Sequence, residues 1–136
     1  MDAYVDALDV CIAFINSSAI VGAGKPLAGG AVDTRPRSPG SGAIAYVTWI
    51  ASPWEPSEAA IHNALLSCSV YGTTDANARR GAVALANLLR GIDGNPIVFP
   101  ALGAALDCVE QITGPSLLPG NEHAYLVDAL INLEPM

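Results

Sequence analysis

Positive charge is what this sequence has least of: six Lys and Arg residues stand against thirteen Asp and Glu, a formal net charge of -7. A protein that reads nucleic acid needs a basic stripe to neutralise phosphates, and none is present, which argues against that role. The acidic balance instead gives solubility and repels DNA. Cysteine is also sparse. Cys11, Cys68 and Cys108 are widely spaced, odd in number and form no C-x-x-C pair. That argues against a structural zinc site and against a secreted disulfide scaffold, and leaves three buried thiols in a reducing compartment as the expectation. No apolar run approaches the ~20 residues that span a bilayer. Asp2, Asp6 and Asp9 stand where a secretory leader carries positive charge, so the expectation is a cytoplasmic product without a membrane anchor.

What is there in quantity is small and apolar. Hydrophobic residues make up 51% of the chain and charged residues 14%, outside the range of disordered or highly charged proteins. Much of the apolar share is alanine, which packs tightly rather than lining large cavities. The 136 residues are enough for one core and too few for two, so a single domain over 1–136 is expected.

The opening segment "DAYVDALDVCIAFINSS" sets Val5, Leu8, Ile12 and Ile15 on one helical face beside Cys11. Asp2 is placed to cap that helix and Asn16 to Ser18 to end it. From Gly22 to Gly42 the chain is crowded with Gly, Pro and Ser and reads as loop, with room for a short strand around Ala31 to Arg35. Two strands follow, Ala43 to Pro53 and Glu58 to Gly72, joined as a hairpin by the proline-bearing tip "SPWEPSE". On the second, His62, Ala64, Leu66, Cys68 and Val70 form the set expected to face the core. Thr73 or Thr74 then caps a helix with Asp75 in its first turn, where a negative charge complements the helix dipole. Ala78, Ala82, Leu85, Leu89 and Ile92 line its apolar face, Arg79 and Arg80 fall on its solvent side, and Gly91 stops it. Strand-like pieces lie between Ile97 and Ile112, "TGPSLLPGNEHA" reads as a loop, and Tyr125 to Leu133 as a closing strand broken by Asp128 and Asn132. The order is helix, hairpin, helix, hairpin, and the fold class is α+β, an antiparallel sheet with two helices packed on one face.

Residues able to do chemistry are few. His62 and Cys68 share a strand face but stand six positions apart, too far to touch, and His123 lies beside Glu122 in a loop. Asp107, Glu110 and Glu122 follow no calcium-loop spacing. "GAGKP" at Gly22 superficially resembles a phosphate-binding loop but lacks the Ser or Thr after Lys25, and Pro26 removes a needed backbone N–H. No catalytic residue, cofactor or metal is therefore assigned, and the chain is read as a non-enzyme. Aromatic anchors are the other clue. Trp54, beside Glu55 at the hairpin tip, reads either as a partner contact or as packing against its own hairpin, whereas Trp49 inside the strand reads as core.

The stretch "VYGTTDANARRGAVALANLLRG", a strand closing on Val-Tyr-Gly-Thr-Thr and leading directly into an Ala- and Arg-rich helix, resembles the tail terminator (tail completion) proteins of long, non-contractile-tailed phages, in particular those of actinobacteria. "ITGPSLLPGNEHAYLVDALINL" is similar to that family's Gly-Pro, Leu-Pro loop running into a closing strand. The leading helix and the strand "AYVTWI" stand in the family's order, so the resemblance covers nearly the whole chain. Gly120 and Asn121 depart from it, because the family often has an acidic residue after the second proline. The hairpin tip is also individual. The resemblance implies a virion protein of the head–tail neck, assembled in the host cytoplasm. It would form a ring, expected to be a homo-hexamer, that caps the tail tube, stops its elongation and docks to the head connector. Its partners would be further copies of itself, the tail tube protein and the connector protein, with genomic DNA passing through unbound. Trp54, Glu55, Arg35, Arg37, Arg79 and Arg80 are then the interface candidates. Another neck or connector protein is the neighbouring alternative. A small α+β enzyme or ligand-binding domain using Cys68 or His62 is the alternative of a different class.

Overall fold

Side chains along Leu66 to Val70 alternate between two faces: Leu66, Cys68 and Val70 are fully buried on one, while Ser67 and Ser69 on the other are 7% and 6% exposed. The computed structural model describes residues 7–22, 24–27, 44–51, 62–92, 97–102, 104–117 and 123–135. Within these, helix α1 (Ala7–Asn16) precedes strands β1 (Ile44–Ala51) and β2 (His62–Tyr71), and helix α2 (Asp75–Arg90) follows them. Strands β3 (Ile97–Phe99), β4 (Ala104–Leu117) and β5 (Ala124–Pro135) complete the chain. The strands form one antiparallel sheet in the order β1-β2-β5-β4-β3. The protein is α+β, as the alternation and the two amphipathic segments require. No helix among the described residues is long and apolar enough to cross a membrane.

Register explains how the core forms. Cys68 stands opposite Val127, Leu66 opposite Ala129 and Val70 opposite Tyr125, while Leu106 of β4 stands opposite Leu133. These positions share one sheet face, and Val127, Ala129, Ile131 and Leu133 are all buried on it. Each fully covered Leu, Ile or Val on that face contributes about 1.5–3 kcal/mol through removal of apolar surface from water. Helix α2 adds Ala78, Ala82, Leu85 and Leu89, all buried on the expected face, with Gly81 and Ala86 beside them and Ile92 just beyond the last turn.

Helix α1 turns a different stripe inward. Val10, Cys11, Phe14 and Ile15 are its buried residues, and Ile12 is only half-buried. Val5 lies outside the described residues, as does the Leu8 side chain. The Ser17 and Ser18 hydroxyls donate to the Phe14 and Ile15 carbonyls at 3.1 and 2.5 Å, closing the last turn where the polar cluster predicts. Just past it, the Leu27 N–H donates to the Ile20 carbonyl at 2.8 Å and the Leu27 side chain is fully buried. Among the described residues of the glycine-rich loop, Leu27 therefore joins the core. The expected strand at Ala31 to Arg35 and the hairpin tip lie outside the described residues, and so do the side chains of Trp49, His62 and Cys108.

One boundary is corrected. The segment beginning at Thr113, read as loop, stays in β4 through Leu117, with Ser116 opposite Leu126 and Leu117 opposite Tyr125. Register shifts absorb the proline: the ladder slips between Thr113 and Ser116, so Pro115 is not asked for the N–H it lacks. Gly114 takes φ +103, and a side chain there would meet the Leu126 carbonyl oxygen at 2.5 Å, so only glycine fits this bulge.

Candidate functional site at the β2–α2–β5 corner

The Gly-Thr-Thr step between strand and helix is held from both ends. The Gly72 N–H donates to the His123 carbonyl at 3.0 Å, tying the end of β2 to the entry of β5. A Cβ on Gly72 would sit 2.5 Å from the Ala78 nitrogen, so the first turn of α2 lies directly on this residue. Thr74, extended at φ -135 and ψ 161, is the cap: its Oγ1 accepts from the Asn77 N–H at 3.1 Å. Asn77 Nδ2 donates to Thr73 Oγ1 at 3.1 Å, so both threonines are used, one on the backbone and one on a side chain.

Asp75 gathers two partners at this corner. The Tyr125 hydroxyl donates to Asp75 Oδ1 at 2.6 Å, and Arg79 lies 3.6 Å from Asp75 Oδ2, one helical turn on. The hydrogen bond to Asp75 raises the Tyr125 hydroxyl above the ordinary tyrosine value of 10.0, because the carboxylate accepts from the protonated phenol and repels the phenolate. The Asp75–Arg79 pair is 47% and 60% exposed, so its contribution is small, about 0.3–0.5 kcal/mol.

Of the six candidate interface residues, the structure places two. Arg79 and Arg80 are consecutive on α2 and exposed, as the helical spacing predicts. Arg79 is engaged with Asp75, whereas Arg80 points a cation into solvent. Arg35, Arg37, Trp54 and Glu55 lie outside the described residues. Tyr125 makes a contact to Asp75 that spacing did not reveal. Its only sequence signal is an aromatic residue at the head of a strand that follows a proline-bearing turn.

Chemistry at Cys68 is disfavoured by position. The thiol is fully buried, and a hydrogen bond with Cys11, with burial after it, pushes it well above the ordinary thiol range, so the nucleophilic thiolate is suppressed. His62 lies six residues along the same strand, about 20 Å away at the usual strand rise, so the two form no pair. No group of three or more His, Cys, Asp and Glu is placed to hold a metal ion among the described residues. The Asp107 and Glu110 side chains and the whole of Glu122 fall outside them. Comparisons of the chain with protein-family models, with curated proteins and with solved structures find no match.

Proposed function

We propose that this chain is a structural assembly protein of the tail terminator type: a ring, hexameric by the resemblance, that ends the tail tube and docks it to the head connector. One observation carries the reading. The two stretches that bear the resemblance are far apart in the chain, yet they meet at a single corner through the Gly72–His123 and Asp75–Tyr125 hydrogen bonds. They behave as one structural unit and not as two generic strand ends. The acidic balance supports passage of DNA without capture, since like charge disfavours sticking. Exposed Arg80, with Arg79 beside it, supplies cations for contact with an acidic neighbouring copy.

The test is electron microscopy of lysates from a phage whose copy of this gene is disrupted. Overlong tail tubes beside filled, tailless heads are expected. Tails of normal length detached from heads would move the protein to the connector side of the neck. Intact infectious virions would overturn the reading.

A further inference from the structure

We propose that the exposed stripe of α2 is a head-to-tail contact between copies of this chain, docking on the acidic β4 margin of the next copy. Charge is divided unevenly between these two surfaces. Helix α2 carries Arg79, Arg80 and Arg90, three of the six basic residues of the chain, with Asp75 as its one acid. From Gly91 to Met136 the chain has six acidic residues and no Lys or Arg. Strands β3, β4 and β5 therefore carry acidic charge alone, while the helix packed on their sheet carries mostly the opposite sign. Like-charged surfaces repel, so neither surface pairs with its own two-fold mate. Opposite signs meet only when α2 of one copy faces β4 of another, and contacts of that kind propagate around a ring. The inference rests on the assembly reading for the presence of several copies, and adds which two surfaces meet.

The stripe has the build of an interface. Arg80, Val83, Asn87 and Arg90 recur at helical spacing and are all exposed, Val83 at 44%. At the usual helical rise the two arginines stand about 15 Å apart along the axis, with Val83 between them. A β-branched residue at an exposed helical position gains nothing from propensity, but an apolar centre with a charged rim is what a partner surface covers. Asp75 lies 3.6 Å from Arg79, so Arg80 and Arg90 are the cations offered to the neighbour. On the receiving side, β3 pairs with β4 only from Ala104 to Leu106. Among the described residues no strand pairs with the rest of that margin. Asp107 and Glu110 occupy positions along it, one at each of the first two slips of the ladder.

Sedimentation of the purified full chain tests the contact without any phage. Wild type should self-associate at about 50 mM salt and dissociate at about 0.5 M, where screening cuts the reach of a charge to a few ångström. Arg80→Glu with Arg90→Glu, and separately Asp107→Lys with Glu110→Lys, should each leave a monomer, because each sets like charge against like. An equal mixture of the two double variants should associate again, since the reversed helix of one then meets the reversed margin of the other. Val83→Asp, a single change at an exposed position, should weaken wild-type association about tenfold and serves if a double variant fails to fold. A wild type that stays monomeric at low salt, a mixture that does not recover, or unchanged association of Val83→Asp would each overturn the proposal. So would undiminished association of the β4 double variant, which would show that α2 meets another surface. Binding of a labelled DNA duplex by monomeric wild type, lost with Arg80→Glu and Arg90→Glu, would assign the stripe to nucleic acid instead. These results are separate from the lysate experiment: a chain that ends tails but fails the charge exchange keeps its function and loses this contact.

Discussion

Strands β5 and β4 lie side by side and follow opposite rules. Along β5 the pairing with β2 runs without a register shift, although Ala124 and Asn132 on the second face are buried as well. Tyr125, Val127, Ala129, Ile131 and Leu133 share the face that the helices cover, while Leu126, Asp128, Leu130 and Asn132 share the other. Along β4 the ladder slips three times, between Leu106 and Cys108, Val109 and Gln111, and Thr113 and Ser116. Each slip inserts a residue and moves the following side chains to the opposite face. Leu106 stands opposite Leu133, and Cys108, two residues on, stands opposite Asn132, the very next position of β5. A strand with clean alternation carries its burial pattern in its spelling. A bulged strand does not, because the pattern depends on where the partner absorbs the extra residue.

The largest way to break this contrast is to empty the covered face of β5. Ile131→Ala should cost about 2–5 kcal/mol in urea unfolding, because Ile131 is 1% exposed and the core relaxes only partly around the lost atoms. The same experiment on the far face, Ser67→Ala, should move stability by less than about 1 kcal/mol. Gly114→Ala attacks the irregularity of β4 itself. Its positive φ and the 2.5 Å approach to the Leu126 carbonyl oxygen predict a loss of about 1–3 kcal/mol, read as a lowered Tm.

Asp128→Thr tests the far face with the opposite sign. Asp128 Oδ1 is buried without a hydrogen-bond partner among the described residues, and the residue stands between Ser67 and Thr113 in register. A β-branched hydroxyl residue there should stabilise by about 1 kcal/mol, raising the urea midpoint. The smallest effect concerns the corner where β5 meets α2. The Tyr125 hydroxyl is raised above 10.0, so the stability it contributes is fully present below that pH and is lost as pH rises through its folded value. Wild type should therefore lose more stability between pH 9 and pH 11, as about two pH units bracketing the ordinary tyrosine range, than Tyr125→Phe does. Equal alkaline limbs would show that the Asp75 hydrogen bond is not felt energetically.

Legibility followed the same division. The apolar face of α2, the burial of Leu66, Cys68 and Val70 on β2 and the capping role of the Thr73–Thr74 pair were readable because each rests on local spacing or on a side chain reaching its own backbone. Helix α1 was readable as a helix, and Cys11 and Ile15 of its expected inward stripe are buried. Ile12 is only half-buried, and Val10 and Phe14 join the core beside them. Leu27 gave little warning, being a single leucine among glycines. The Asp75–Tyr125 contact joins residues 50 apart, beyond the reach of any local pattern.

Composition and spacing by themselves determined that this chain builds an α+β domain with an amphipathic helix after a hairpin, since propensity, alternation and capping act over a few residues. Strand order, the placement of β5 between β2 and β4, and the slips of β4 were decided only in the folded protein. So was the closing of the Gly72 corner by His123. Those outcomes depend on which distant surfaces bury each other best, and the free energy of that choice belongs to the packed pair and to neither segment alone.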